Sequence, residues 1–297
     1  MADPAFEGSG VAMVTPFDAV GVAESVLRAL VRFHVAEGTD ALIVCGSTGE
    51  AAAMTAAEQR RAIAIVVDEN AGRLPVIAGC GGSDTRMVAG LAEGAHQAGA
   101  DGLLVSAPPY NKPPQRGLVA HFRSVIEAGD LPTIIYNIPG RAAVNVLPAT
   151  IMAIAEDSRV IGVKEASGDL SQVAELARIA GDRLMLWSGN DDQVIPLMAL
   201  GGRGVISVLA NIAPAATSRM AHTFLEGDLA GACRLQLDLL PLISLLFAES
   251  NPIPVKAAVA MLGFDVGPPR PPLTTVDPAL CDRLVAAMKA AGLAARA

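Results

Sequence analysis

Glu37-Gly38-Thr39-Asp40-Ala41-Leu42-Ile43-Val44 closes one helical pattern and opens a buried strand, and the chain uses this form again. Ala98-Gly99-Ala100-Asp101-Gly102-Leu103-Leu104-Val105 matches it, as does Gly201-Gly202-Arg203-Gly204-Val205-Ile206-Ser207-Val208. In each, glycine supplies a helix stop and the run behind it is short and mostly apolar, the mark of a parallel strand covered on both faces.

Working outward from these copies gives a regular alternation. Gly10 to Phe17 reads as a first strand stopped by Pro16, followed by a helical pattern from Val22 to Glu37. Ala41 to Cys45 leads through Gly46-Ser47-Thr48-Gly49-Glu50 to a helix that starts near Thr55, where Glu58 completes a capping box. Further strands fall at 75–78, 102–105, 133–136, 160–163, 184–187 and 204–208. Helices are expected from Asp84, Pro114, Leu147, Leu170, Asp191 and Pro214. Eight strand and helix pairs of similar length permit an open doubly wound sheet or a closed ring, and they favour closure. The expected fold is therefore α/β, a (β/α)8 TIM barrel. After Pro214 the strands stop and helical stretches follow at about 230–248, 254–262 and 278–293, so a C-terminal helical appendage is expected. The division is a catalytic barrel over 1–227 and a helical extension packed on it over 228–297.

A chain of 297 residues with 52% hydrophobic composition and a mean hydropathy of +0.44 can bury a large core. The net charge of −8 and pI near 5.0 argue against nucleic acid or an anionic membrane surface as partner. Cys45, Cys80, Cys233 and Cys281 lie far apart with no C-x-x-C pair, which argues against a disulfide framework or zinc site and fits the cytoplasm. The acidic N-terminus has no apolar signal region, and charges interrupt each apolar run before the length of a membrane span.

Only four of the 22 basic residues are lysines: Lys112, Lys164, Lys256 and Lys289. An amine can lose its proton and attack a carbonyl, which a guanidinium effectively cannot, so a lysine kept among arginines raises a chemical question. Lys164 alone sits in a strand-like run, Val160-Ile161-Gly162-Val163-Lys164-Glu165. It either pairs with Glu165 as a strand cap or acts as a nucleophile.

Residues at the C-terminal ends of barrel strands share one mouth. Read off those ends, the mouth collects Ser47, Thr48, Tyr110, Tyr136, Asn137, Arg141, Lys164, Gly189, Asn190 and Ile206. The chain has two tyrosines, and both follow strands. A desolvated amine beside phenol and hydroxyl groups suits Schiff-base chemistry, with Tyr136 as acid and base, a chain of Ser47, Thr48 and Tyr110 to solvent, and Arg141 as a fork for a carboxylate. Other signals are weaker. Gly79-Cys80-Gly81-Gly82 reads as a tight turn because it lacks a Walker lysine, and His34, His96, His121 and His222 read as packing or surface residues. Asp191 and Asp192 read as favouring a helix dipole rather than holding a metal.

Gly46-Ser47-Thr48-Gly49-Glu50, Tyr136-Asn137-Ile138-Pro139-Gly140-Arg141, Lys164-Glu165-Ala166-Ser167-Gly168-Asp169 and Asn251-Pro252-Ile253-Pro254-Val255-Lys256 carry a resemblance over about residues 8–293. With these motifs in order, the chain resembles the dihydrodipicolinate synthase family of pyruvate-dependent class I aldolases and lyases. The resemblance implies a synthase of the diaminopimelate and lysine pathway, without cofactor or metal. Lys164 would form an imine with pyruvate, and its enamine would attack L-aspartate 4-semialdehyde. Tyr136 would donate the proton. Thr48, Gly189 and Ile206 would hold substrate, Ile206 through its backbone, and Arg141 would receive the second carboxylate. Ser47 and Tyr110 would complete the relay. Tyr110 would enter a neighbouring subunit's site in a homo-oligomer, a dimer of dimers. Ser47 stands where the synthases usually carry threonine, a form also seen in N-acetylneuraminate lyases, so that lyase or a keto-deoxy-sugar aldolase is the alternative. Ala56, Gln59, Ser83, Met87 and Pro109 replace the residues of lysine-inhibited members, which implies no feedback by lysine.

Overall fold

The structure is a computed structural model that describes residues 5–293; the outer ends of the two expected units, residues 1–4 and 294–297, lie outside it. Eight parallel strands form a closed barrel: β1 (Gly8–Ala12), β2 (Ala41–Val44), β3 (Val76–Cys80), β4 (Gly102–Ser106), β5 (Thr133–Asn137), β6 (Val160–Glu165), β7 (Met185–Ser188) and β8 (Gly204–Ser207). Each pairs with the next, and β8 closes on β1 with Gly8 opposite Gly204 and Val11 opposite Ser207. The closed ring and its alternating helices are those expected from the repeated glycine-stop and strand unit.

The period-2 direction of strand side chains divides the core. Val11, Val44, Val105, Ile135 and Val163 face the helices, while Ala12, Ile43, Ile77, Leu104, Ile134, Trp187 and Ile206 fill the interior with Phe6. Trp187 is wholly buried, stacks on Phe6 at 5.1 Å and donates Nε1–H to the Phe6 carbonyl at 3.0 Å. Its ring explains Gly162 on the next strand: a Cβ there would stand 2.6 Å from the indole. Side chains, not a channel, occupy the barrel below its mouth.

The outer helices are α1 (Glu24–Ala36), α2 (Ala56–Asn70), α3 (Thr85–Gln97), α4 (Gln115–Gly129), α5 (Pro148–Ile154), α6 (Leu170–Ala180), α7 (Val194–Met198) and α8 (Pro214–Leu225). The expected capping box of α2 is present, with Glu58 N–H donating to Thr55 Oγ1 and Thr55 N–H to Glu58 Oε2. Two expectations are corrected. The first strand ends at Ala12 rather than Phe17, because the Asn211 amide takes the next backbone groups: it accepts from Val14 N–H and donates to the Ala12 carbonyl. Phe17–Asp18 pairs instead with Gly21–Val22 in a small hairpin.

The second correction is the helix expected from Asp191. It is a 3-10 turn over Asp191–Gln193 followed by only the five residues of α7. Asp191 does not serve a helix dipole: its carboxylate turns inward and accepts from the Val208 and Leu209 amides at 3.0 and 2.9 Å.

Three further helices follow, α9 (Leu229–Leu246), α10 (Ile253–Met261) and α11 (Pro278–Ala290). Among the described residues α9 alone is long and apolar enough to cross a bilayer. It packs on α8 and α11, and Gln236 on it bonds the Asp191 carbonyl and the Ile195 amide, as a core helix would.

Candidate active site

Lys164 and Tyr136 face each other because β5 and β6 place them in register, after a shift between Thr133 and Ile134. Both side chains point into the barrel, and Lys164 Nζ lies 4.4 Å from the centroid of the Tyr136 ring. Gly189, one strand further on, makes room for the amine: a Cβ there would stand 3.1 Å from Lys164 Cε. Lys164 is 5% exposed.

The geometry removes one of the two readings of this lysine, pairing with Glu165. Glu165 points to the opposite side of β6, where its carboxylate accepts from Asn137 Nδ2 at 3.0 Å, Ser167 N–H at 2.6 Å and Gln172 Nε2 at 3.2 Å. It is a satisfied outer-face group that ties β5 to β6, and the amine on the inner face is left to the mouth.

Burial pushes the Lys164 amine down to about 7, against an upward pull from the Asp191 carboxylate and a further downward push from Arg141. An amine so placed is substantially neutral near pH 7, the form that attacks carbonyls. Burial pushes the Tyr136 phenol up to about 12, opposed by the Arg141 charge and by a hydrogen bond with Ser47. The phenol therefore keeps its proton to donate. Asp191 is buried, and desolvation raises its pKa against the hydrogen bonds from Ser207, Leu209 and Val208 and the charge of Lys164.

A cavity of about 60 Å³ opens at the C-terminal ends of the strands, and Ser47, Thr48, Tyr136, Arg141, Lys164 and Gly189 all line it. The turn carrying Ser47 and Thr48 is tightly wound, with Cys45 and Glu50 both in the left-handed region at φ 58° and 56°. Ile206 is not among the residues that line this cavity; it is fully buried in the barrel interior, in one cluster with Tyr136. Tyr110 is not brought to this cavity; it is 87% exposed, on a left-handed backbone at φ 72°.

Among the lining residues absent from the sequence-derived set are Asn251 and Phe247, which reach the cavity from the C-terminal helical region. Asn251 Nδ2 donates to Thr48 Oγ1 at 3.0 Å, and Arg141 Nη2 donates to the Asn251 carbonyl at 2.7 Å. Its motif was visible, and the signal for its place was Lys256, a rare lysine five residues on. Lys256 is 1% exposed and donates to Glu50 Oε1 at 2.6 Å. Asp191, also missed, stood beside Asn190 in sequence and was read as part of a helix start.

A model of the Dihydrodipicolinate synthetase family matches residues 5–291. The chain belongs to this family. Its members are pyruvate-dependent Schiff-base lyases. The 4-hydroxy-tetrahydrodipicolinate synthase of Thermoanaerobacter sp. (strain X514) is 54% identical over 271 residues, 91% of each chain. Among solved structures, dihydrodipicolinate synthase from Aquifex aeolicus superposes with a TM-score of 0.96 at 40% identity, over 98% of this chain and 100% of that one. The synthase from Cyanidioschyzon merolae with lysine bound does so with a TM-score of 0.94 at 39% identity, over 97% and 99%.

Proposed function

We propose that the protein condenses pyruvate with L-aspartate 4-semialdehyde to give 4-hydroxy-tetrahydrodipicolinate and water. The observation that carries this reading is the buried Lys164 amine facing Tyr136 in a cavity that Arg141 also lines. The amine, held near neutrality by burial, attacks the keto carbon of pyruvate. Tyr136 gives its proton to the carbinolamine oxygen, which leaves as water, and the resulting iminium loses a C3 proton to become an enamine. Enamine attack on the aldehyde forms the new carbon–carbon bond. The amine of the second substrate then adds to the imine carbon, closes the ring and frees Lys164.

Arg141 pairs with the carboxylate of the semialdehyde, a charge-assisted contact for which a planar guanidinium is suited. Thr48 and the backbones of Ile206 and Gly189 hold pyruvate. Ser47 bonds the phenol and links it to solvent. Tyr110, exposed in the single chain, completes that link from a neighbouring copy in a dimer of dimers. The barrel over 1–227 and the extension over 228–297 act as one catalytic unit in the cytoplasm.

The test is a coupled assay with pyruvate and L-aspartate 4-semialdehyde, run beside cleavage of N-acetylneuraminate. Turnover of the first pair and none of the second is expected. The reverse result would move the protein to the sugar-acid lyases, which share the Ser47 form of the turn.

A further inference from the structure

The mouth of the barrel is completed by a segment more than 200 positions away in sequence, and its contacts fall on groups that the chemistry uses. Asn251 donates Nδ2–H to Thr48 Oγ1 at 3.0 Å across a separation of 203 residues. The Asn251 carbonyl accepts from Arg141 Nη2 at 2.7 Å. Close behind, Lys256 Nζ bonds Glu50 Oε1 at 2.6 Å and Arg270 N–H bonds Glu50 Oε2 at 2.7 Å, so both oxygens of the residue ending the Ser47–Thr48 turn are held by the same C-terminal region. Lys256 is fixed further by the Pro268 carbonyl at 3.2 Å. The segment is thus anchored on both sides of the cavity.

We infer that Asn251 is a positioning residue that sets the direction of hydrogen bonding through Thr48. A threonine hydroxyl has one proton to give and two lone pairs to accept with. By donating to Oγ1, Asn251 occupies an accepting position and leaves the Thr48 proton for a partner other than itself, within the cavity that Tyr136, Ser47 and Lys164 share. Asn251 Oδ1 is buried with no partner among the described residues, so the contact with Thr48 is the one hydrogen bond its side chain makes there. An acceptor in place of that N–H would draw the Thr48 proton toward itself and turn the chain of hydroxyls the other way. The carbonyl of the same residue holds the guanidinium that faces the second substrate, so one residue aligns the proton path and the carboxylate fork together.

This inference rests on the pyruvate imine proposed above, and exchange of the pyruvate C3 protons into heavy water, followed by proton NMR, separates the two. Absence of exchange in the unaltered protein would overturn the imine itself; loss confined to variants concerns Asn251. Asn251→Ala is expected to slow exchange and kcat by roughly tenfold, short of the about 10²-fold at which general acid–base contributions begin because Asn251 acts through Thr48, and to change KM for pyruvate by a smaller factor. Asn251→Asp, close in shape but presenting only acceptors, is expected to be slower than Asn251→Ala. In a Thr48→Val background Asn251→Ala should cost nothing more, because the residue acts through a hydroxyl that is no longer there. Exchange at the unaltered rate in both Asn251 variants, or losses that simply add in the double variant, would overturn the assignment. Circular dichroism checks the fold, and if Asn251→Ala does not hold the barrel, exchange by Asn251→Asp decides alone.

Discussion

Lys164 and Tyr136 are lateral neighbours on adjacent strands, with the amine 4.4 Å from the centre of the phenol ring. The proposed nucleophile and proton donor are thus held by the register of the sheet, not by a loop. Lys164→Arg should retain the barrel and lose both turnover and the adduct that borohydride traps in the presence of pyruvate. Mass spectrometry of the trapped protein checks this, and an adduct in the variant would contradict it.

Burial brings the Lys164 amine to about 7, so the neutral form grows as pH rises and kcat/KM for pyruvate should climb through that value before levelling. The charged groups acting on it are Asp191, which raises it, and Arg141, which lowers it. Asp191→Asn removes the raising charge, and the acid limb should move to lower pH. The sign for stability follows from linkage: with the folded value below the unfolded 10.5, the unfolded chain binds more protons between the two, and this group makes stability rise with pH across that window. Lys164→Met should flatten that slope in denaturant midpoints measured at pH 6 and 9.

Tyr136→Phe removes a phenol that burial holds protonated up to about 12. A loss in kcat of about 10²-fold or more is expected for a positioned proton donor, with pyruvate still bound. Ser47→Ala, which removes a hydrogen-bond partner and not the donor itself, should cost less. Steady-state kinetics on both variants orders the two roles.

Lys256 and Glu50 form an ion pair with both side chains 1% exposed. Lys256→Met strands a buried carboxylate, and loss of one partner of such a pair typically costs about 3–5 kcal/mol. Combining it with Glu50→Gln should recover part of this loss, because no unpaired charge then remains inside. Urea unfolding of the single and double variants measures the difference.

At Ala56, Gln59, Ser83, Met87 and Pro109 the chain lacks the side chains that the resemblance associates with feedback by lysine. Turnover should therefore be unaffected by millimolar L-lysine. Half-maximal inhibition below 1 mM, read in the coupled assay, would reverse this expectation.

Much of this site could be read in the sequence because a closed barrel turns strand ends into neighbours. Ser47, Thr48, Tyr136, Arg141, Lys164 and Gly189 needed only the position of each strand to be brought together. The residues that escaped obey another logic. Asn251 and Phe247 lie in the link between α9 and α10, where no periodicity says which side chains meet the mouth, and Asp191 folds its carboxylate back toward the Val208 and Leu209 amides. Tyr110 was placed by its strand, yet its side chain stands in solvent. Short polar contacts across long sequence separations leave no repeating pattern to detect.

The bond from Asn251 to Thr48 and the pair of Lys256 with Glu50 also order events during synthesis. A ribosome that has released all eight strands has yet to release Asn251 and Lys256, so the turn after β2 still lacks its clamp. Nascent chains stopped before Asn251 lack both contacts, so the turn that carries Ser47 and Thr48 is clamped only once the last stretch of the chain has emerged.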